Sequence, residues 1–357
     1  MKIIICPDSF KGSLGAEEVT SVIAEEIKKN FMEYSCDNVE IIELPLADGG
    51  EGTAGLLNFL YPIKHKIRAH SASGELIETQ FHSDVTGEKV FIESAEIIGL
   101  PLVALENRNP LNTSSFGLGE VISAAAKQGV KEIAVALGGS ATCDGGMGML
   151  ESLGDLKSYG NLRFRVICDV ENPLLGEKGA VMTYGLQKGA KETDLPILEE
   201  RMKQFAETAI KKGYATTGDI CKRGAGAAGG LGFTFFTYLK AEYYKGIDFI
   251  LDQKGFDKII RDADIIITGE GKIDRQSLMG KVVGGVLARS QQFNIPVIAI
   301  GGKIEDRDQL HKAGLINLHE IADPDLSLLE NMKREVAIDN IRKCIRKLSP
   351  GLLENPI

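Results

Sequence analysis

A chain of 357 residues is longer than one hydrophobic core commonly supports, so its length predicts two domains. Hydrophobic residues make up 43% and charged residues 25%, which is typical of an ordinary globular protein and unlike a disordered or fibrous chain. The formal net charge of -9 argues against nucleic acid as a partner, because a phosphate backbone binds basic surfaces, although it allows an anionic small molecule.

The amino terminus, MKIIICPDSF, has an apolar run too short for the core of a signal peptide, and no later apolar run approaches the ~18 residues of a membrane-spanning helix. We therefore expect a cytoplasmic protein without a membrane partner. The six cysteines include no C-x-x-C pair and the histidines show no metal-ligand spacing, so neither a zinc site nor a redox pair is predicted.

The amino-terminal residues predict a strand, a helix and a second strand. The strands are the apolar runs 2–6 and 39–44, and the helix between them, 16–31, has apolar residues at helical spacing. A polar loop follows each strand, at the end where an open α/β sheet binds its ligands. The first loop contains an acid, a hydroxyl and a base, which are Asp8, Ser9 and Lys11. The second, 48–53, holds acids between glycines.

The middle of the chain has a different pattern of apolar and polar residues, which indicates a domain boundary. Within 65–94, short alternating runs at 79–84 and 89–94, joined by glycine turns, predict an antiparallel meander. Further strands are predicted at 132–137 and 163–168, and helices at 114–128 and 193–212.

Two glycine-rich stretches in this middle block allow more than one interpretation. The loop 138–146 either only begins a helix or forms a phosphate or carboxylate cradle completed by Ser140, Thr142 and Asp144, and both interpretations stay open. The stretch 224–229 matches the dinucleotide fingerprint G-x-G-x-x-G but lacks the preceding strand, which argues against a nicotinamide cofactor. A helix start packed closely against a ligand or another helix fits it better.

The carboxyl-terminal part returns to alternating strands and helices. Strands are predicted at 264–268, 297–300 and 315–321, and helices at 281–293 and 326–348, the last ended by Pro350. Acids follow the first of these strands, at Glu270 and Asp274, and stand among glycines as they do in 48–53.

Glycine turns with acids often only connect a strand to a helix. Two such loops, each after an apolar strand, favour a functional site instead, because glycine lets the backbone approach a phosphate and carboxylates hold Mg²⁺. Lys11 and Lys281 would supply the positive charge.

These elements predict an α/β protein with a Rossmann-like parallel-sheet domain formed by both chain ends, residues 1–63 and 264–357. A second α/β domain with a mixed sheet, residues 64–263, is inserted into it. The chain has neither the P-loop G-x-x-x-x-G-K-[ST] nor the H-R-D and D-F-G motifs of protein kinases, so any phosphoryl transfer must use another scaffold.

Several multi-residue blocks follow one another in a characteristic order along nearly the whole chain. They are PDSFKGS (7–13), ADGGEGT (47–53), GGSATCDGGMG (138–148), CDVENPLLG (168–176), QKGA (187–190), GAGAAGGLGF (224–233) and ITGEGKIDRQS (267–277). Together they closely resemble the type I glycerate kinase family. The resemblance implies an enzyme that transfers the γ-phosphoryl group of ATP to a hydroxyl of D-glycerate with Mg²⁺, 2-phosphoglycerate being the favoured product. It also implies an active site between a Rossmann-type domain and an inserted domain.

Position by position, the resemblance implies three groups of site residues. The catalytic group is Asp8, Lys11, Asp48, Asp169 and Glu270. The metal group is Asp48, Glu270 and Asp274. The substrate and phosphate group is Ser9, Gly49, Gly50, Glu51, Gly52, Thr53, Gly139, Ser140, Asp144, Asn172, Gln187, Lys188, Gly226, Gly229, Gly269, Gly271, Gln276 and Lys281.

The hypothesis that follows is in-line transfer governed by positioning and charge neutralisation. Asp8 or Asp169 would orient the attacking hydroxyl, and Lys11 would neutralise the substrate carboxylate or the transferring phosphoryl group. The acids of the two glycine loops, Asp48, Glu51, Glu270 and Asp274, are expected to converge on one cleft with Lys11 nearby.

The sequence departs from the family pattern in two places. Cys143 stands where similar proteins usually have Asn, and the connection 153–163 is much shorter than the family's glycine-containing segment. Three other functions stay open: a kinase for another small hydroxy acid, a phosphatase or mutase that works without ATP, and a non-catalytic relative that senses a metabolite. A homo-oligomer is also left open.

Overall fold

The computed structural model describes residues 1–10, 12–33, 39–46 and 60–354. Its strands, numbered over these residues, are β1 (Lys2–Ile5), β2 (Glu40–Glu43), β3 (Ile63–His70), β4 (Leu76–Ser83), β5 (Lys89–Glu93), β6 (Glu132–Ala136), β7 (Arg163–Ile167), β8 (Glu242–Tyr244), β9 (Ile265–Ile273), β10 (Val297–Ile304) and β11 (Asn317–Glu320). Its α-helices are α1 (Ala16–Glu33), α2 (Ala95–Ile98), α3 (Phe116–Ala126), α4 (Met147–Leu153), α5 (Ala180–Tyr184), α6 (Leu195–Lys211), α7 (Thr217–Ile220), α8 (Ala227–Thr237), α9 (Gly246–Gln253), α10 (Phe256–Ile260), α11 (Val282–Gln291), α12 (Arg307–Lys312), α13 (Leu328–Asn331) and α14 (Arg334–Glu354).

The chain divides into two compact units. The first consists of Met1–Asp48 and Gly246–Ile357, and the second of Gly49–Lys245. Both boundaries come earlier in the chain than the predicted ones, because β3 already belongs to the sheet of the second unit and α9 already belongs to the first.

The first unit has a parallel sheet of five strands in the order β11-β10-β9-β1-β2. Its central strands are continuous apolar runs because helices cover a parallel sheet. In β1, for example, Ile3, Ile4 and Ile5 are all fully buried. On one face, α1 and α14 pack against the sheet, with Ile23 and Ile341 in the same core cluster. Both chain ends therefore build one sheet, as the sequence predicted.

Strands β9 and β10 extend further than predicted, to Ile273 and Ile304. The prediction of a loop from Gly269 onward was wrong, because these residues continue the ladder with β10. Gly269 permits this pairing, since a Cβ atom there would lie 2.3 Å from the Ile300 carbonyl oxygen. The glycine that suggested a loop is thus a point of close contact between strands.

The second unit has a six-stranded mixed sheet in the order β3-β4-β5-β6-β7-β8. The first three strands are antiparallel, which confirms the predicted meander, and β5 to β8 run parallel. The sequence did not predict β3 or β8. The α/β class, with a parallel sheet from both chain ends and a second mixed sheet, is confirmed.

The carboxyl-terminal helix differs from its prediction. The structure has two helices, α13 and α14, instead of one, and α14 continues through Pro350. At the end of α13, the side-chain Nδ2 of Asn331 donates to the carbonyl oxygens of Asp323 and Leu326, at 3.0 and 3.1 Å. A side chain that binds nearby backbone oxygens competes with a continuous helix at this position.

The glycine-alanine stretch that begins α8 packs directly against the loop that follows β6. Ala228, Gly229 and Gly230 have left-handed backbone angles, and the Gly229 carbonyl accepts a hydrogen bond from the Gly145 amide at 3.0 Å. A Cβ atom on Gly229 would lie 1.9 Å from the Thr142 carbonyl oxygen. This stretch therefore makes the close helix-start packing that the sequence favoured.

We expect Gly229→Ala to destabilise the protein more than Gly213→Ala does. Both glycines have a positive φ, of 72° and 77°, but a Cβ on Gly213 would meet nothing within 4 Å. Each substitution therefore places an alanine in a left-handed conformation, which lowers the free energy of unfolding by about 1 kcal/mol. In Gly229→Ala the added Cβ also overlaps with backbone atoms, so the free energy of unfolding should fall by about 3 kcal/mol or more. Urea unfolding of both variants measures the difference, and equal losses would contradict the close contact.

Candidate active site

The order of the strands in the first unit reverses between β1 and β9. From β1 the chain moves to β2 on one side, whereas β9, β10 and β11 follow one another on the other side. Open α/β sheets bind ligands at the carboxyl ends of the strands at such a switch point. Here the amide of Asp8, just beyond the end of β1, donates to the carbonyl of Gly269 within β9, at 2.8 Å. Asp8, Ser9, Gly269 and Glu270 therefore lie at the expected position.

Glu270 is the most unusual carboxylate at this switch point. The residue is 5% exposed, and its Oε1 is buried without a hydrogen-bond partner among the described residues. Burial raises the pKa of this carboxyl from its ordinary 4.5 to about 7, against the opposing effect of Lys281, and Asp8 raises it further. Lys281 Nζ lies 3.6 Å from Oε2. The structure thus groups Asp8, Glu270 and Lys281, which the sequence named separately.

Asp274 has protein partners in the described structure. Its carboxylate accepts a hydrogen bond from the Gln276 amide at 2.8 Å, which begins the short 3-10 helix Arg275–Leu278. It also pairs with Lys272 Nζ at 3.4 Å, and Lys272 pairs in turn with Glu305 at 2.9 Å. Gln276 itself is exposed. Because side chains alternate along a strand, Glu270 and Lys272 share one face of β9.

In the second unit, the loop after β6 is held by a buried lysine. Lys188, at the end of the 3-10 helix Leu186–Lys188, is 5% exposed. Its Nζ donates to Ser140 Oγ at 2.8 Å and to the Thr142 carbonyl at 2.7 Å. Burial lowers the pKa of this ammonium, while Cys143 and Asp144 act in the opposite direction. The blocks GGSAT and QKGA are therefore in direct contact.

Asp144 connects two helices. Its carboxylate accepts hydrogen bonds from the Ser115 amide and hydroxyl, both at 2.8 Å, and from the Gly146 and Gly148 amides, both at 3.1 Å. It thereby satisfies amides at the starts of α3 and α4, which also favour a negative charge. Sequence analysis did not single out Ser115, although a serine directly before a helix is the usual signal of such a start.

Of the other predicted residues of the second unit, Asp169, Asn172 and Gly226 lie around the turn after β7. Asn172 Nδ2 donates to the Lys178 carbonyl at 2.8 Å, and its Oδ1 accepts from the Tyr184 hydroxyl at 2.7 Å. Gly226 packs on this turn, since a Cβ there would lie 2.3 Å from the Pro173 carbonyl oxygen. Asp169, Gln187 and Gly139 are exposed.

Several predicted site residues lie outside the described residues. They are Lys11, Asp48, Gly49, Gly50, Glu51, Gly52 and Thr53. The convergence of Asp48 and Glu51 with Glu270 therefore stays a prediction. Within the described ranges, no three His, Cys, Asp or Glu side chains form a metal-binding group. No described helix combines the length and apolar character needed to cross a membrane.

Comparison with known proteins identifies the family. A family model described as the glycerate kinase family matches residues 3–156 and 155–349. This chain belongs to the glycerate kinase family. It is similar to the glycerate kinase of Bacillus subtilis (strain 168), with 38% identity over 90% of each chain. It is also similar to the glycerate 2-kinase of Escherichia coli (strain K12), with 35% identity over 99% of this chain and 98% of the relative.

A solved structure from the same family supports the fold. A crystal structure described as a glycerate kinase 2 from Salmonella typhimurium LT2 matches with a TM-score of 0.80 at 31% identity, over 99% of this chain and 98% of that one. This agreement covers both units of the chain.

The two departures from the family pattern can now be placed. The E. coli alignment spans 382 positions, more than the 357 residues of this chain, so that relative has residues that this chain lacks. The two parts of the family match meet at 155–156, within the short connection between α4 and β7. The Cys143 side chain is buried in an apolar cluster with Leu174 and Val181, where a small thiol is well accommodated.

We expect Glu270→Gln to change how stability depends on pH. In the wild type the folded protein keeps Glu270 protonated up to about pH 7, whereas the unfolded chain releases this proton near its ordinary value of 4.5. Wild-type stability therefore falls as pH rises through this window. Relative to wild type, Glu270→Gln should gain up to about 3 kcal/mol between about pH 5 and about pH 8. Urea unfolding of the metal-free protein in EDTA measures this difference.

Glu305→Gln provides a matched control in the same unit. Hydrogen bonds from Lys272 and Lys303 lower the pKa of Glu305 below its ordinary 4.5, so its charge stays constant across that pH range. The difference in free energy of unfolding between Glu305→Gln and wild type should therefore not change with pH. If the difference between Glu270→Gln and wild type is also independent of pH, burial does not keep Glu270 protonated.

Proposed function

We propose that this protein is a glycerate kinase that transfers the γ-phosphoryl group of ATP to D-glycerate, with 2-phosphoglycerate as the favoured product. The observation that carries the proposal is the group of Asp8, Glu270 and Lys281 at the switch point of a chain that belongs to this family. Carboxylates and a lysine at this place suit a reaction in which anionic phosphates and a hydroxyl must be brought together.

The residues present fit a magnesium ion. Mg²⁺ usually takes one or two carboxylates, with water and phosphate oxygens completing its shell. The buried Oε1 of Glu270 has no hydrogen-bond partner among the described residues, so this oxygen is available to bind the ion. We propose that Glu270 holds the ion, with Asp274 and Asp48 as the other candidates. When bound, Mg²⁺ would neutralise phosphate charge.

The chain's own residues would act by positioning and by charge. Asp8 or Asp169 would accept a hydrogen bond from the attacking hydroxyl and orient it toward the phosphoryl group. Lys281, beside Glu270, and Lys11 would stabilise negative charge on the substrates. The glycine-rich loops would contribute backbone amides to phosphate oxygens. No covalent intermediate with the protein is needed.

We propose a kinase in preference to the alternatives because phosphatases, mutases and metabolite sensors lack support from the family match. A kinase for another small hydroxy acid is the second candidate, since the same residues would serve it. A cytoplasmic location and a homo-oligomer are retained as expectations.

The wild-type protein should form ADP from ATP and Mg²⁺ only when D-glycerate is added. A coupled assay of ADP production measures turnover, and phosphorus NMR identifies which hydroxyl carries the phosphate. L-lactate and D-tartrate in place of D-glycerate serve as hydroxy-acid controls. ADP formation with either of these and none with D-glycerate would reject glycerate as the substrate.

We expect Glu270→Ala to lower kcat by roughly 10²- to 10⁴-fold, the range for loss of a group that acts in the transition state. Glu305→Ala is the matched control, because it removes a carboxylate of the same unit that pairs with Lys272 and Lys303. It should retain wild-type turnover. Circular dichroism establishes that both variants are folded, and near-normal turnover in folded Glu270→Ala would rule out its proposed role.

A further inference from the structure

The contact between Lys188 and Ser140 determines which way the serine hydroxyl can donate. An ammonium group has donors and no acceptor, so Ser140 Oγ must accept the hydrogen bond from Lys188 Nζ, at 2.8 Å. The O–H group of Ser140 is then free to donate to a different atom. Among the described residues, the bond from Lys188 is the only side-chain hydrogen bond that Ser140 Oγ makes. The serine hydroxyl thus has a donor without a partner in the described part of the chain.

The space beside Ser140 can admit a ligand. Gly138 and Gly139 directly precede it at the carboxyl end of β6 and are exposed, although Ser140 itself is 3% exposed. A Cβ atom on Gly138 would meet no atom within 4 Å. The carboxyl ends of parallel strands are where α/β sheets place ligands. A ligand can therefore approach the loop at these two glycines, directly beside the buried serine.

The charge of Lys188 favours an anion at this place. Among the described residues no carboxylate lies within ion-pair distance of its Nζ, and its two hydrogen bonds go to a hydroxyl and a carbonyl. The neighbouring Asp144 carboxylate is already engaged by Ser115, Gly146 and Gly148. A buried cation without a counter-ion is unfavourable, and an anionic ligand nearby reduces that cost.

We propose that Lys188 is a positioning residue that acts through Ser140, fixing its hydroxyl as a donor to an anionic oxygen of a substrate. The oxygen belongs to the carboxylate of the hydroxy acid or to a phosphate of the nucleotide. Lys188 does not touch the substrate, because it is buried beneath the loop. The inference rests on the proposed function and deepens it, since it assigns an anion-binding role to the loop after β6.

The test compares Ser140→Ala, Lys188→Gln and the double variant. Each single variant should raise KM for one substrate about tenfold to hundredfold, the effect of losing a hydrogen bond to a charged group. The double variant should be no worse than either single variant, because Lys188 acts through Ser140. A double variant whose KM increase is the product of the two single effects would overturn the inference.

Thr113→Val is the matched control for loss of loop anchoring. Thr113 is buried, and its hydroxyl donates to the carbonyl of Ala141 in the same loop at 3.0 Å. The variant should lower the melting temperature and leave KM unchanged. If Thr113→Val raises KM as much as Lys188→Gln does, Lys188 only holds the loop in place and the inference is wrong. Ser140→Ala keeps the test valid if Lys188→Gln does not fold.

Binding measurements separate this inference from the proposed function. Isothermal titration with D-glycerate alone and with ATP and Mg²⁺ alone shows which ligand Ser140→Ala weakens, and that ligand supplies the anionic oxygen. If the wild type fails to phosphorylate D-glycerate, the proposed function fails, whereas weaker binding of either ligand to Ser140→Ala would still support the positioning role. Unchanged binding of both ligands to Ser140→Ala would overturn it.

Discussion

The pairing of β1 with β9 is the constraint on which the first unit depends. The two strands are far apart in sequence, and the Thr268 hydroxyl donates to the Cys6 carbonyl across 262 positions. This pairing closes one parallel sheet from the two ends of the chain and creates the reversal in strand order. Because the end of β1 lies beside the middle of β9, where Ile5 pairs with Ile267, Asp8 and Glu270 become neighbours. The site therefore follows from the closure of the sheet and not from any single loop.

The polar groups of the candidate site differ in how completely their hydrogen bonds and charges are satisfied. Asp144, which is half-buried, accepts four hydrogen bonds from the starts of two helices, so its partial burial costs little and it stabilises the loop. Lys188 and Glu270 are not fully satisfied: Lys188 lacks a counter-ion among the described residues, and Glu270 has an oxygen without a hydrogen bond. Native structures keep few such groups, and those that persist concentrate at functional sites. This difference distinguishes the two residues from Asp144.

The sequence predicted the elements whose pattern depends on burial alone. Strand β1 and its neighbour β9 were recognisable as continuous isoleucine runs, because both faces of a parallel sheet are covered. Strand β3, IKHKIRAH, was missed because polar and charged residues dominate an edge strand that is partly solvated. The extension of β9 was missed because Gly269 has the same appearance in a loop as in a close strand contact.

The candidate site was predictable as a list of residues but not as an arrangement. Motif blocks identified Glu270 and Lys188, whereas their burial depends on tertiary packing that no local pattern encodes. Lysine and glutamate are rarely fully buried, so residue type alone does not indicate that these two are. The hydrogen bond from Lys188 to Ser140 joins two blocks that are 48 positions apart, and only the fold brings them together.

Burial shifts Glu270 and Lys188 toward their neutral forms, since the pKa of the acid is raised and that of the base is lowered. Each shift reflects the free-energy cost of keeping a charge away from water. A cation near Glu270 and an anion near the Ser140 hydroxyl would each reduce this cost, so ligands should stabilise the folded protein when they bind. The acidic position lies in the first unit and the basic position in the second. Glu270 therefore suits a metal ion and the Ser140 hydroxyl suits a negative oxygen, which are the two kinds of charge present in phosphoryl transfer.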